Sequence, residues 1–281
     1  MTETRAVCGW PERLLWGTGS VLVMIYALAP VAWIVSLSLK RAADLGDRHF
    51  LPRSFSLEHY RAIVADTQFP AALWNSIGIA SLATLLSVTL GMLAAYAIVR
   101  LEFPGRRLIL AGALATAMFP PVAIIGPLFN LWRTLGLFDT WPGLILPYMS
   151  FTLPLAIWVL SAYFREIPWE LDKAARIDGA TPFQAFIRVI APLAAPGVFT
   201  AAILVFIFAW NDFLFAAALT STDRARTVPA AIAFFTGSSR FELPTQAIAA
   251  ASVVVTVPVM IVVLVFQRRI VAGLTAGAVK G

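Results

Sequence analysis

The sequence predicts an all-α integral membrane protein that crosses the bilayer six times. Hydrophobic residues make up 60% of the 281-residue chain and charged residues 13%, whereas a soluble domain runs near half apolar and a quarter charged. Six stretches contain no Asp, Glu, Lys or Arg: 14–39, 67–99, 108–132, 140–164, 189–211 and 243–267. Each exceeds the ~20 residues that a helix needs to cross a ~30 Å hydrocarbon core. Six in succession leave too little polar surface to cover a water-soluble core.

The first stretch follows Arg5 and Arg13, as a signal peptide would. Its apolar run is longer than the ~7–15 residues of a signal h-region and lacks a small-x-small cleavage site, so it is expected to stay as an anchor. In the second, Gly91 and Ala95 lie four residues apart, a spacing that lets helices pack closely. Pro120-Pro121 should break the third. The fourth carries Pro147 and Pro154, the fifth Pro192 and Pro196, the sixth Pro258. Prolines this frequent fit either a pathway built from broken helices or the general tolerance of membrane helices for proline. Trp10, Trp16, Trp74, Trp132, Trp141 and Trp169 fall near span ends, where indole rings favour the headgroup layer.

The formal charge of +6 does not indicate nucleic acid, because the cations sit singly between apolar runs rather than clustered on a soluble face. A small excess of Lys and Arg lies on the side of the N-terminus, which points to cytoplasmic N- and C-termini, although Lys40 and Arg41 abut the first span on the other side. The lone Cys8 cannot form an internal disulfide.

Several chemistries have no residues to perform them. No G-x-x-x-x-G-K-[ST] phosphate loop occurs, so nucleotide hydrolysis belongs to another subunit. His49 and His59 lack metal-ligand spacing, no nucleophile sits with a base, and no enzyme, metal or cofactor is expected in this chain. A proton-coupled secondary carrier acting alone is the competing reading. It is disfavoured because such carriers place ionisable groups inside the membrane, and the six stretches hold no Asp, Glu, Lys or Arg, with Asp212 at the edge of the fifth. Asn130, Asn211 and Asp212 are the candidate substrate pathway. Asn75, Gln246, Tyr96 and Tyr148 are further polar groups near spans; such groups suit either a sugar's hydroxyls and C–H faces or simple helix-to-helix hydrogen bonds.

The loop 165–188 is the most informative stretch. It reads as two short amphipathic helices. Pro168 suits a first helical position, Glu170 and Asp172 favour the first turn, Gly179 can take the positive φ that ends a helix, and Thr181-Pro182 starts the next. A folded loop between spans suggests a docking surface.

With its core Lys173-Ala174-Ala175, Asp178-Gly179-Ala180 and Val189-Ile190-Ala191-Pro192, this loop resembles the EAA loop of binding-protein-dependent ABC importer permeases. Lys173 stands where that family usually has Glu, and Ala191 where it usually has Leu. Asn75-Ser76, Ala95-Tyr96-Ala97, Arg100, Phe103, Gly105, Leu135-Gly136-Leu137, Trp210-Asn211-Asp212 and the tail Gly273–Gly281 extend the likeness to the MalG-like branch of carbohydrate permeases. The segments Leu137–Tyr148 and Phe266–Leu274 are most similar to trehalose-importer permeases of mycobacteria.

The resemblance implies a MetI-like five-helix core, 71–269, preceded by one extra helix, in a single permease domain of the cell membrane. It implies a second, different permease subunit, a homodimeric cytoplasmic ATPase that uses ATP and Mg, and an extracytoplasmic sugar-binding lipoprotein. Glu170, Lys173, Ala174, Ala175, Asp178, Gly179 and Ala180 would couple to the ATPase, and Phe235, Gly237 and Ser238 would face the binding protein. The tail 271–281, too rich in Gly and Ala for a stable exposed helix, would reach into the ATPase dimer. The expected cargo is a neutral disaccharide, trehalose first.

Overall fold

The computed structural model describes residues 10–41, 44, 49–65, 67–235 and 245–278, with side chains between 14 and 266. Its elements are helical: α1 (Trp10–Ser38), α2 (Glu58–Ala65), α3 (Gln68–Arg100), α4 (Arg106–Ala117), α5 (Pro121–Leu135), α6 (Trp141–Glu166), α7 (Trp169–Ile177), α8 (Pro182–Ala185), α9 (Ala191–Leu193), α10 (Ala195–Trp210), α11 (Leu214–Leu219), α12 (Val228–Ala233) and α13 (Thr245–Ala278). A π-helical turn, Phe186–Ile190, joins α8 to α9. The chain divides into two compact units, one of residues 1–65 and 235–254, the other of 66–234 and 255–281.

In the first unit α1 leaves an apolar surface open along its length, including Leu14, Trp16, Leu22 and Tyr26. A helix apolar all round is a membrane span rather than a soluble surface helix. Its C-terminal end is tied to the segment that follows. The Ser36 hydroxyl donates to the Phe50 carbonyl, Ser38 and Tyr60 share a hydrogen bond of 2.7 Å, and the Ser56 N–H donates to Leu39 O at 2.9 Å. Lys40, which argued against the topology by charge counting, is buried: Nζ donates to His49 O at 2.7 Å and lies 5.0 Å from the Trp33 ring centroid. These contacts give the ammonium a seat inside the unit and leave its charge in place.

The second unit is built on α3 and α6, packed along one another, with α10 against both. One core cluster joins Ile79 and Ala83 of α3 to Leu144 and Tyr148 of α6 and to Ala209 and Trp210 of α10. The other joins Val88 and Ala95 to Ala156, Leu160 and Phe164, and to Ala201 and Val205. N-terminal halves of α3 and α6 therefore meet, so these helices run parallel, while α10 runs antiparallel to both.

Successive parallel spans need a return crossing between them. The pair α4–α5, bent by 87° at Pro120-Pro121, provides it, and α8–α10, bent by 75° near Ala194, carries the chain back after α6. Four helices span by length alone and six spans result when each bent pair is one crossing. α13 completes the unit: Val255 and Val259 pack on the first cluster and the Phe266 ring stacks on Phe199 at the other end. The helix thus travels toward the end that holds α7.

Close packing follows from the small residues. A Cβ on Gly91 would stand 2.8 Å from that of Ala156, so α3 and α6 touch at glycine. Ser87 and Thr152 close a hydrogen bond of 2.7 Å between the same helices.

Three expectations are corrected. The second helix of the 165–188 loop is not a separate short helix: from Pro182 the chain stays helical through the π turn and α9 to Leu193. Pro168 is the N-cap of α7 rather than its first residue, its nitrogen needing no partner at either place. Trp132 and Trp141 lie at helix ends as expected, and their indole N–H groups are taken up within the protein, donating to Gly143 O at 2.6 Å and to Asn75 Oδ1 at 2.9 Å. The tail is helical to Ala278. Propagating an existing helix costs far less than nucleating one, and Ala is the best helix former, so Gly273 and Gly277 do not stop it.

Candidate functional site

The loop after α6 builds a small platform. Glu170 and Asp172 occupy the first turn of α7 and Arg176 the last, in keeping with the helix dipole. At its end the N–H of Ala180 donates to Ala175 O at 3.0 Å across Gly179, whose φ is 88°. This is the Schellman arrangement, and its left-handed residue is where glycine alone has no steric cost. Thr181 then caps α8 in a reciprocal box: Gln184 N–H donates to Thr181 Oγ1 at 3.3 Å and Thr181 N–H to Gln184 Oε1 at 3.0 Å.

The platform is fastened to the bundle by residues that sequence reasoning did not assign to this role. Asp172 is buried; its carboxylate accepts the Tyr96 hydroxyl of α3 at 3.2 Å and pairs with Arg176 at 3.2 Å. The Tyr96 ring packs on Phe186 at 4.6 Å and edge-on to Phe164. Arg100, also buried, donates to Phe164 O at 3.1 Å and Ile167 O at 2.5 Å, satisfying carbonyls at the end of α6, and its guanidinium lies 4.7 Å from the Trp169 ring centroid. The signals were present in the Asp172/Arg176 spacing of four and in the Tyr96 and Arg100 motif, but nothing local says which face of α7 turns inward.

The opposite face is open. Glu170, Lys173, Ala174, Asp178 and Gly179 are exposed, Ala175 and Ala180 half-buried. Ile177 is 85% and Phe183 62% exposed, so the face combines charges with two large apolar side chains. Such a mixture suits a protein partner.

At the far end of the bundle, Asp139 has φ 59° and accepts from Ser221 N–H at 2.9 Å, Thr222 N–H at 3.2 Å and the Thr222 hydroxyl at 2.5 Å. Burial acts to raise its pKa, but the hydrogen bonds from Thr222 and Ser221 and the charge of Arg224 outweigh burial and hold the carboxyl below its ordinary value. Asn75 donates to Asp223 O at 2.8 Å and Arg226 O at 3.1 Å, and the Ser76 hydroxyl accepts from Val228 N–H at 2.8 Å. Asn75 and Tyr96 are thus spent on structure, so neither offers its polar group to a sugar.

The proposed pathway residues are only partly gathered. Asn211 is exposed at the end of α10, its amide donating to Ile207 O at 2.8 Å. Its neighbour Asp212 accepts the Tyr148 hydroxyl at 2.8 Å and the Ala216 N–H at 3.1 Å, capping α11. Asn130 is exposed on α5 and its side chain bonds to neither. Phe235 is half-buried, while Gly237 and Ser238 lie outside the described residues.

Residues 87–274 match the family described as binding-protein-dependent transport system inner membrane component. The chain is 59% identical to the trehalose transport system permease protein SugB of Mycobacterium tuberculosis over 95% of its length and 97% of that protein. It is 43% identical to the trehalose/maltose transport system permease protein MalG of Thermococcus litoralis, over 96% and 98%. Among solved structures, a chain of a bacterial ABC transporter that imports the acidic polysaccharide alginate superposes with a TM-score of 0.77 at 26% identity, covering 92% of this chain and 98% of that one. On this agreement of sequence, span architecture and fold, the protein is a multi-pass membrane protein that belongs to the inner membrane component family of binding-protein-dependent transport systems.

Proposed function

We propose that the chain is the permease subunit of an ATP-binding cassette sugar importer that moves a neutral disaccharide, trehalose first, into the cytoplasm. The observation that carries this reading is the likeness to SugB along nearly the whole of both chains. The chain holds no phosphate loop, so the driving ATP and Mg are used by a partner ATPase. In the terms of the trehalose system the assembly contains a SugA-like second permease, a homodimeric SugC-like ATPase and an LpqY-like sugar-binding lipoprotein.

The platform supports a coupling role for Glu170, Lys173, Ala174, Ala175, Asp178, Gly179 and Ala180. It is rigidly tied to α3 and α6 through Asp172 and Arg100 while presenting an open face. A push on that face by a closing ATPase passes to the bundle as rigid-body motion, with no chemistry in the loop. The single permease domain keeps its core at 71–269, its coupling loop at 165–188 and its tail at 271–281. Both termini are cytoplasmic. Asn130, Asn211 and Asp212 flank the sugar's path, and the segment with Phe235, Gly237 and Ser238 faces the binding protein.

The test is ATP hydrolysis by the reconstituted assembly with its binding protein. Trehalose should stimulate it and drive uptake. A response to an amino acid or an anion, with none to trehalose or another α-glucoside, overturns the substrate class.

A further inference from the structure

On the α7 side of the bundle the ends of α3, α4 and α6 surround a cavity of about 360 Å³ lined by Ile98, Val99, Arg106, Arg107, Leu110, Arg165 and Trp169. Three guanidinium groups thus converge on a space with an apolar wall. Arg106 donates to Leu101 O at 3.2 Å, and among the described residues none of the three is ion-paired. The nearby carboxylates of Glu102 and Glu166 do not line the cavity. Behind Trp169 lies the buried Arg100, whose Nε and Nη1 have no hydrogen-bond partner. The side chains that line the cavity thus carry three positive charges and no negative one, beside an apolar wall at the ends of the spans.

We propose that this cavity binds the phosphodiester headgroup of an anionic phospholipid. Arginine forks match phosphate oxygens bidentately and stay charged at every relevant pH. A free phosphate would use the arginines but gain nothing from Ile98, Val99 and Leu110, whereas the glycerol and first acyl carbons of a lipid lie against such a wall. Basic pockets between helices at a membrane surface are suited to anionic headgroups. Because Trp169 opens α7 and lines the cavity, a lipid held here would brace the root of the platform. The inference needs only a membrane-embedded chain and stands apart from the identity of the cargo.

The experiment uses the full assembly in vesicles of equal parts phosphatidylglycerol and phosphatidylcholine, extracted in mild detergent, with retained lipids counted by native mass spectrometry. Phosphatidylglycerol should be retained preferentially. Arg107→Gln with Arg165→Gln should reduce its retention about twenty-fivefold, from roughly fivefold per arginine, and Lys at both positions should restore most of it. Leu110→Trp, which fills the wall and leaves every arginine in place, should also expel the lipid; it keeps the test decisive if the double variant fails to assemble. Equal retention of the two lipids overturns the proposal. So does displacement of the lipid by inorganic phosphate alone, which would make this a free-anion site. Loss of the ATPase from arginine variants with lipid retention unchanged would assign the arginines to a protein partner and overturn it as well.

Discussion

Asp139 holds a left-handed φ of 59° that most side chains avoid, and its carboxylate gathers the turn at Ser221 and Thr222. Because its folded pKa lies below the ordinary 3.8, the stability it contributes is complete above that value and is lost as pH falls through the lower folded pKa. Asp139→Asn keeps tolerance of the backbone and one carbonyl acceptor, so a melting curve at pH 7 should drop slightly and its acid dependence below pH ~4 should flatten. Asp139→Ala loses every acceptor and adds about 1 kcal/mol of backbone strain, so it should melt lowest. An Ala variant as stable as wild type would show that this contact is idle. At the bundle's other end, Asp172 is a buried acceptor for Tyr96 and Arg176. Asp172→Ala should weaken the seating of α7 by about 1.5–3 kcal/mol, the range for hydrogen bonds to a charged group. Transport should fall strongly while the amount of inserted protein stays the same, with Tyr96→Phe milder. Full uptake by Asp172→Ala would remove it from the coupling path. Both carboxylates were visible as residues in the sequence but not as anchors. The partners that tie them to other helices and turns lie 82 and 83 residues away for Asp139 and 76 for Asp172, and only the folded chain brings such pairs together.

At the scale of elements, local grammar carried far. The Gly179 turn, the Thr181 cap and the Pro120-Pro121 break depend on residues within a few positions of one another, and the structure realises each. Local grammar failed where continuity decides. The helix after Thr181 runs through a π turn to Leu193 because nothing between breaks it, Pro192 entering at a helix start. The tail extends α13 because an established helix is easily prolonged. Gly179 offers the sharpest element-scale prediction. Its surroundings hold open space for a Cβ, so the cost of a side chain there is purely one of backbone, at φ 88°. Gly179→Ala and Gly179→Val should each lose about 1 kcal/mol or more in the Schellman turn, Val the larger amount because of its β-branch. Uptake should fall in that order with membrane insertion unchanged. Normal uptake and normal ATPase association in Gly179→Val would remove the coupling role from the turn.

For the molecule as a whole, direction is the property that packing determines better than charge. The excess of Lys and Arg on one side is small, and Lys40, seated on His49 O and against Trp33, counts against it. The two core clusters supply a stronger argument within the larger unit. Because α3 and α6 are parallel and α10 is antiparallel, the ends at Arg100, at α7 and at the N-terminus of α8 share one side of the bundle. The stacking of Phe266 on Phe199 sends α13 toward that same side. The loop of Arg100 to Arg107, the platform and the start of the tail must then face the same compartment, which is the cytoplasm under the proposed docking of an ATPase on the platform. Single cysteines at Ala180 and Leu108, introduced with Cys8→Ala, should resist an impermeant maleimide applied outside sealed cells and react once the membrane is opened. A cysteine at Thr222, in the turn at the other end, should react from outside. Ala180 and Thr222 labelled from the same side would break the crossing count, and Ala180 labelled from outside would invert the orientation and remove the ATPase from the platform.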